Sequence, residues 1–496
     1  MWRVALVCVA CLLGSPAMAD RELSFGDSPT VLRFLEDWGL EGQYLQGPFG
    51  SGKTLGGATK LVIHGQLLWD RPLPGLLQSH FGRPKGLESR YVVVRRYWEE
   101  LRKTTLKTFL RWFEGAGTWK GDSKTFVMSG PNGVTSEILW MGLDDAGLAK
   151  ILSLDVTGFM LDEACELSED VWLGLQGRKR RFPDYPEKQR YSYLLADAPA
   201  IALSNPPDEE HWLVREFERT PHAAYRQYTQ PSGLSPAAEN LRNLENGYYE
   251  RLLETYRARP DLQKRYVFGQ RAVLVRGGPV YQHQFRRDEH VTTAELVWPG
   301  STARILRGWD ASGNVPACVV SWITPSGRWD LAREFVTDRE GVSEFAGRVV
   351  EWCRVQFPGA EWVDVGDPAT FAEFSKPGGG LTSNARIMRQ EHGIELLKGV
   401  QKFEARRDAL GSRLQRREGV LVSGPGCPRL VSGLEGGYAY PELPDGRGYG
   451  PEPVKNQYSH VVEAAQYAST WISGDAERQS APPRQSVGAL LAGLRR

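Results

Sequence analysis

The sequence predicts an α/β protein built as two sheet-centred domains, and three observations predict it. Short apolar runs alternate with helical stretches from Gly42 to about Gln230, a polar, turn-rich segment follows from Pro231 to about Gly300, and a second series of apolar runs begins near Ala303. At 496 residues the chain has room for two or three domains, at about 100 to 200 residues each. With 41% hydrophobic and 24% charged residues it is an ordinary globular composition. The net charge of +1 excludes no partner, because a balanced total can hide basic grooves.

In chain order, the first element is "MWRVALVCVACLLGSPAMAD". Its apolar run, Val4 to Leu13, follows Arg3 and ends near Ala17-Met18-Ala19, which is the form of a secretory signal peptide. The run is shorter than the roughly 20 apolar residues that a membrane-spanning helix needs. No later stretch approaches that length. Of six cysteines, Cys8 and Cys11 lie in this leader, and Cys165, Cys318, Cys353 and Cys427 are scattered without a ligand pair. That pattern fits a reducing compartment better than a disulfide framework or a zinc site.

The first domain is expected over residues 23–230. Within it, "QYLQGPFGSGKTLGGATKLVIHG" contains a complete G-x-x-x-x-G-K-[ST] pattern from Gly47 to Thr54. Gly47, Gly50 and Gly52 free the backbone so that its N–H groups, with that of Ser51, wrap phosphates; Lys53 reaches the outer phosphates and the Thr54 hydroxyl is a ligand for Mg²⁺. The context agrees, with Gln43 to Gln46 a strand and Thr54 to Leu68 a helix whose N-terminus faces the anion. Further strands are expected at Tyr91 to Val94, Phe159 to Leu161 and Ile201 to Leu203. The second of these apolar runs, "LDVTGFMLDEA", ends in Asp162 and Glu163, a metal-shell carboxylate and a residue to orient and deprotonate water. An ATPase of helicase or translocase type is the class this combination indicates.

Two stretches are consistent with that class, each with a plainer alternative. "YVVVRRYWEELRKTTLKTFL" delivers Arg95 and Arg96 to a helix start, where a guanidinium stabilises γ-phosphate charge or simply forms a solvated basic turn. "IALSNPPDEEHW" places Ser204 and Asn205 at a strand end, where the amide senses the γ-phosphate or makes an Asx-turn ahead of proline.

Residues 231–300 are expected to form a helical subdomain and linker, and residues 301–472 a second α/β domain with strands at Ile305 to Trp309, Cys318 to Ile323 and Trp362 to Val365. "ARILRGWDASGNVPACVVSWI" ends a strand in Asp310, and "EWVDVGDPATF" ends another with Asp364 and Asp367. "KNQYSHVVEAAQYASTWI" reads as a helix with an apolar face of Val461, Ala464 or Ala465, Ala468 and Ile472; His460 and Glu463 share an adjoining face. Carboxylates from two strand ends and one helix can converge on two divalent ions about 4 Å apart and cleave a phosphodiester. The tail, 473–496, has loop composition.

At this point the chain resembles the large terminase subunit of tailed bacteriophages, the motor and nuclease that packages DNA into procapsids. The resemblance rests on an ordered series: "GPFGSGKT", "VVVRRYWEELRKTTLKTFLRWF", "ILSLDVTGFMLDEACELSEDVWLGLQGRKRRFP", "LSNPP", "GYYERLLETY", "KRYVFGQRAVLVRGGPVYQHQF", "RGWDASGNVPACVV", "GDPA", "GGYAYPE" and "KNQYSHVVEAAQYA", which span roughly Val31 to Ile472. It implies an N-terminal P-loop ATPase of the additional-strand, catalytic-glutamate type and a C-terminal RNase H-like nuclease. Carried over by position, Lys53 and Thr54 match the phosphate loop, Asp162 and Glu163 the metal and water pair, and Asn205 the coupling segment. Asp310 matches the first nuclease aspartate and Asp367 the second, with Asp364 a fallback that strand alternation sends to the opposite face. Glu463 stands where the family commonly has an aspartate, which lengthens the reach by roughly 1.5 Å. It is expected to ligate Mg²⁺ or Mn²⁺, with His460 either beside it or a surface histidine.

The resemblance implies ATP and Mg²⁺ as cofactors and double-stranded DNA, a portal protein, a small terminase subunit and further copies of the chain, a pentamer on the procapsid, as partners. Arg178 to Arg181 and Lys402 to Arg417 are candidates for sequence-independent contacts to the DNA backbone, or solvated faces. The rival classes are a helicase or repair ATPase with a structural C-terminal domain, and a non-catalytic prophage remnant that binds DNA or procapsid. All of these roles belong in the host cytoplasm, so the leader conflicts with them. A start at Met18, giving "MADRELSFGDSPTVLRFL", removes the conflict.

Overall fold

The structure is a computed structural model, and it describes residues 23–68, 88–130, 133–184, 195–209, 211–274, 277–300, 304–337, 340–375, 379–443 and 448–480. The leader and the end of the tail lie outside the described residues. The chain divides into two compact units, Met1–Ala272 and Val273–Arg496. The polar stretch 231–300 is therefore shared: its first part belongs to the first unit and its remainder to the second.

The first unit is built on an eight-stranded sheet of β1 (Gly42–Gln46), β2 (Glu88–Arg95), β3 (Gly117–Lys120), β4 (Thr125–Ser129), β5 (Thr135–Gly142), β6 (Gly158–Leu161), β7 (Ala200–Ser204) and β8 (Tyr225–Thr229). Their order is β3-β4-β5-β2-β6-β7-β1-β8. From β5 to β8 every pairing is parallel, and β3 and β4 add an antiparallel edge. Strands such as "YVVV" and "AIALS" are buried at every position because both faces of a parallel sheet are covered. Leu45, Tyr91, Val93, Met160, Ile201 and Leu203 pack into one core, while Tyr44, Val92, Val94, Phe159, Leu161 and Ala202 pack into another on the opposite face. β7 lies between β1 and β6, so a strand is inserted between the one that ends in the phosphate loop and the one that ends in Asp162. That is the additional-strand arrangement the resemblance implies.

The helix after β1, Lys53–Val62, continues as a wider turn over Ile63–Leu68. It sits tightly on the sheet: a Cβ on Gly57 would lie 2.6 Å from the Met160 sulfur and 2.7 Å from Leu203, and one on Gly56 would lie 2.7 Å from Val31.

In the second unit, short β9 (Gly278–Pro279) and β10 (Val291–Thr292) precede β11 (Ile305–Asp310), β12 (Ala317–Ile323), β13 (Trp329–Val336), β14 (Trp362–Gly366), β15 (Phe374–Ser375), β16 (Leu381–Thr382), β17 (Leu396–Lys398), β18 (Val420–Ser423) and β19 (Ala439–Tyr440). The main sheet runs β10-β18-β13-β12-β11-β14-β17. β11, β12 and β13 form an antiparallel meander, and β14 and β17 join β11 in parallel on its other side, which is the RNase H-like arrangement. Each face carries a helix. Val342–Gln356 buries Phe345, Ala346, Val349 and Cys353 against Ile305, Trp309, Val320 and Trp322. Ser459–Ser480 buries Val461, Ala464, Ala465, Ala468 and Ile472 against Leu306, Val319 and Val365. That helix runs eight residues beyond the expected start of the tail at 473, since Ala476, Glu477, Arg478 and Gln479 favour helix after the apolar face ends.

Among the described residues no helix is long and apolar enough to cross a membrane. Cys165, Cys318, Cys353 and Cys427 are free thiols.

Candidate active sites

The loop between β1 and its helix turns through two left-handed glycines, Gly50 (φ 71°) and Gly52 (φ 84°). Gly47 is fixed by contact: a Cβ there would lie 2.4 Å from Gln230 Oε1. Lys53 is buried, and its ammonium donates to Gly47 O (3.0 Å), Pro48 O (2.7 Å) and Ser51 Oγ (3.3 Å). The loop is thus closed on its own lysine, which burial pulls down to about 8 against the opposing charges of Glu163 and Asp162. Asn205 Nδ2 donates to Gly47 O at 2.8 Å, so the end of β7 is tied to the start of the loop.

Asp162 and Glu163 follow β6, beside the end of β2. Thr54 Oγ1 lies 3.3 Å from Asp162 Oδ1, Thr105 Oγ1 donates to Oδ2, and Arg95 Nη1 stands 3.8 Å from Oδ2. A hydroxyl and a carboxylate side by side suit Mg²⁺ held together with nucleotide phosphates. Arg95 is further held by Thr104 (2.8 Å) and Glu100 (3.2 Å), whereas Arg96 is exposed. Glu163 adopts the left-handed region, φ 50° and ψ 50°, a costly conformation for a side chain with a Cβ and one typical of functional turns. Burial and the adjoining Asp162 push its carboxyl up to about 7, with Lys53 and Arg95 opposing. Glu163, Lys53 and Thr54 line one cavity of about 750 Å³, which Phe25, Trp112 and Asn240 also border.

Sequence patterns did not point to the residues that brace this loop from behind. Gln230 Nε2 donates to Ser51 O (2.7 Å) and to Glu239 (2.9 Å), Asn240 Nδ2 to Gly50 O (2.6 Å), and the Tyr249 hydroxyl to Phe49 O (2.6 Å). Asn240 is itself left-handed (φ 64°).

In the second unit, strand alternation sorts the acids. Asp310 ends β11 on the same face as Gly308, where the backbone of helix Ser459–Ser480 comes so close that a Cβ would lie 2.0 Å from Ala464 O. His460 Nδ1 meets Asp310 Oδ2 at 2.9 Å. Asp367 follows β14, beside β11, and its N–H donates to Trp309 O at 3.0 Å. Its carboxylate accepts from Tyr467 (3.0 Å) and Ser312 (2.5 Å), and from the N–H of Ala369 (3.0 Å). Asp364 is buried on the opposite face in a two-pronged pair with Arg307 (2.7 and 2.8 Å) and accepts from Trp309 Nε1 (2.7 Å), which leaves it no free oxygen for a metal.

Glu463 has three partners of its own. Tyr438 donates to Oε1 at 3.0 Å, Lys455 pairs with Oε2, and Arg406 stands at 3.9 Å. Its carboxylate is thus drawn toward two cations and a phenol. Among the described residues no three His, Cys, Asp or Glu side chains are grouped so as to hold a metal ion.

The basic stretches are also largely committed. Lys179 and Arg180 each pair with Glu41 at 2.7 Å, and Arg178 and Arg181 with Asp155 at 3.9 and 3.0 Å. In the other, Arg406 and Arg413 are buried, while Lys402, Arg416 and Arg417 remain exposed.

No protein-family model matches the chain, and no curated protein matches it. Among solved structures it is similar to phage large terminases. The large terminase of bacteriophage HK97 shares 12% identity over 95% of this chain and 100% of that one, with a TM-score of 0.41. A large terminase from a thermophilic bacteriophage shares 16% identity over 91% and 100%, with a TM-score of 0.39. The ATPase domain of a Thermus phage large terminase shares 14% identity over 48% and 92%, with a TM-score of 0.30.

Proposed function

We propose that the chain is the large subunit of a phage terminase, in which the first unit hydrolyses ATP to advance double-stranded DNA into a procapsid and the second cuts concatemeric DNA. The observation that carries the ATPase part is the meeting, across the inserted β7, of the Lys53–Thr54 loop with Glu163 around one cavity, with Asp162 beside Thr54. In this reading the loop N–H groups and Lys53 bind the phosphates, Asn205 links β7 to the loop, and Arg95 faces the developing charge. Glu163 takes the proton of the attacking water. Thr54 and Asp162 would hold Mg²⁺, which would supply charge neutralisation of the phosphates. Glu163→Gln is expected to abolish ATP-driven DNA translocation while ATP still binds; translocation at the wild-type rate in that variant defeats the assignment.

Asp310 and Asp367, adjacent at two strand ends, are the residues proposed for cutting. The engagement of Glu463 by Lys455 favours a second reading, an ATPase of helicase or repair type with a structural C-terminal unit. Cleavage of supercoiled plasmid with Mg²⁺ or Mn²⁺ separates the two. Loss of cutting in both Asp310→Ala and Asp367→Ala supports the terminase, and a wild type that never cuts supports the alternative. Portal protein, small subunit, pentameric assembly and a place in the host cytoplasm belong to the same proposal.

A further inference from the structure

The cavity of the first unit has two walls, the phosphate loop and the turn that carries Asp162 and Glu163. One short segment, Gln263–Val267, touches both. On the loop side, the Tyr266 ring lies flat on Phe49 with centroids 3.8 Å apart and planes within 9°, and Phe49 N–H donates to Tyr266 O at 2.9 Å. Gly269 (φ 63°) closes the segment against Pro48, 3.3 Å from where its Cβ would be. On the acid side, the neighbouring Arg265 is 8% exposed, beside the Cys165 thiol and within electrostatic reach of Glu163. Its Nε has no hydrogen-bond partner.

A buried guanidinium without its full set of acceptors is expensive, and no contact in its own segment accounts for it. What it neighbours is the turn bearing Glu163 and Cys165, and Glu163 sits there in a strained left-handed conformation. Such strain persists only where the surroundings hold it. A fixed positive charge behind the turn, tied through the next residue to the loop opposite, holds both the turn and its distance from the phosphates.

We propose that Arg265 is a positioning residue for Glu163, which together with Tyr266 sets the spacing between the phosphate loop and the acid turn. The inference rests on the reading of this unit as an ATPase. Arg265 does not border the cavity, so nucleotide affinity does not depend on it. The chemical step does, because small displacements of a reacting group cost rate steeply, about a hundredfold for 1 Å.

The test measures ATP affinity, kcat with double-stranded DNA and melting temperature on the full chain. Arg265→Gln is expected to lower kcat at least tenfold with ATP affinity within twofold of wild type, and Arg265→Lys to recover part of the loss. An unchanged kcat in Arg265→Gln overturns the proposal, as does a parallel loss of affinity and rate that Lys fails to rescue. If Arg265→Gln does not fold, Cys165→Ala decides: it removes the neighbour at the acid turn and keeps the charge, and a severalfold drop in kcat supports the proposal while no drop overturns it. A wild type that binds ATP without hydrolysing it refutes the ATPase reading itself.

Discussion

His211 is held through both ring nitrogens: Nδ1 accepts the N–H of Leu213 at 3.2 Å and Nε2 donates to Cys165 O at 3.1 Å. That pattern needs the neutral ring, and burial pulls the imidazole down to about 4. Because the folded-state value is depressed, the contribution to stability is complete above the unfolded value of about 6.5 and is lost as pH falls toward 4. Acidification from 6.5 to 5 is expected to cost the first unit about 2 kcal/mol through this group, one pKa unit being about 1.4 kcal/mol. Denaturation of wild type beside His211→Gln at the two pH values checks it: equal losses in both mean that the histidine plays no part. Glu463 makes a comparable case in the second unit. With Arg406 and Lys455 around it, Glu463→Ala is expected to destabilise that unit by about 3 kcal/mol, since it strands a buried cation. A carboxylate crowded against Asp310 and Asp367 would instead be relieved by removal, so a stabilised variant returns Glu463 to the metal-ligand role. Lys53 and Asp162 were singled out from local spacing, and Asp367 from the resemblance. Thr105, Gln230 and Lys455 were not, because what defines them is a partner 57, 179 and 8 positions away across a fold.

At the level of elements, two glycines decide how closely a helix lies on its sheet. Gly57 leaves room for Met160 and Leu203 beneath the phosphate-loop helix, and Gly308 leaves room for the backbone of helix Ser459–Ser480. The second is the stricter, because the atom in the way is a backbone carbonyl that cannot rotate aside. Gly308→Ala is expected to destabilise the second unit by about 3 kcal/mol and to displace His460 from Asp310. Denaturant unfolding together with plasmid cleavage tests this, and a variant of wild-type stability with full cutting contradicts the close approach. The period of the final helix was readable, with Val461, Ala464, Ala465, Ala468 and Ile472 all on the buried face. The edge strands β3 and β4 were not, since "GTWK" and "TFVMS" are short and gain their strand character only by pairing with each other and with β5.

For the whole molecule, the division at Ala272 and Val273 gives each unit its own cores: two flank the first sheet and two flank the second. The boundary fell inside a stretch that sequence composition assigned to a separate subdomain, because polarity alone does not tell a linker from a segment that braces a loop. Residues 231–272 are of the second kind, as Asn240, Tyr249 and Tyr266 hold Gly50 and Phe49. Separate cores predict separate unfolding transitions, and a nucleotide that binds one unit should move only one of them. ADP with Mg²⁺ at about 100 times its Kd is expected to stabilise the first unit by about 2.7 kcal/mol. By calorimetry the transition that shifts should be the one lost to movement in Lys53→Ala, while the transition weakened by Gly308→Ala stays where it was. A single transition that both substitutions lower would mean that the two units melt as one, and a shift that survives Lys53→Ala would place the nucleotide somewhere other than the phosphate loop.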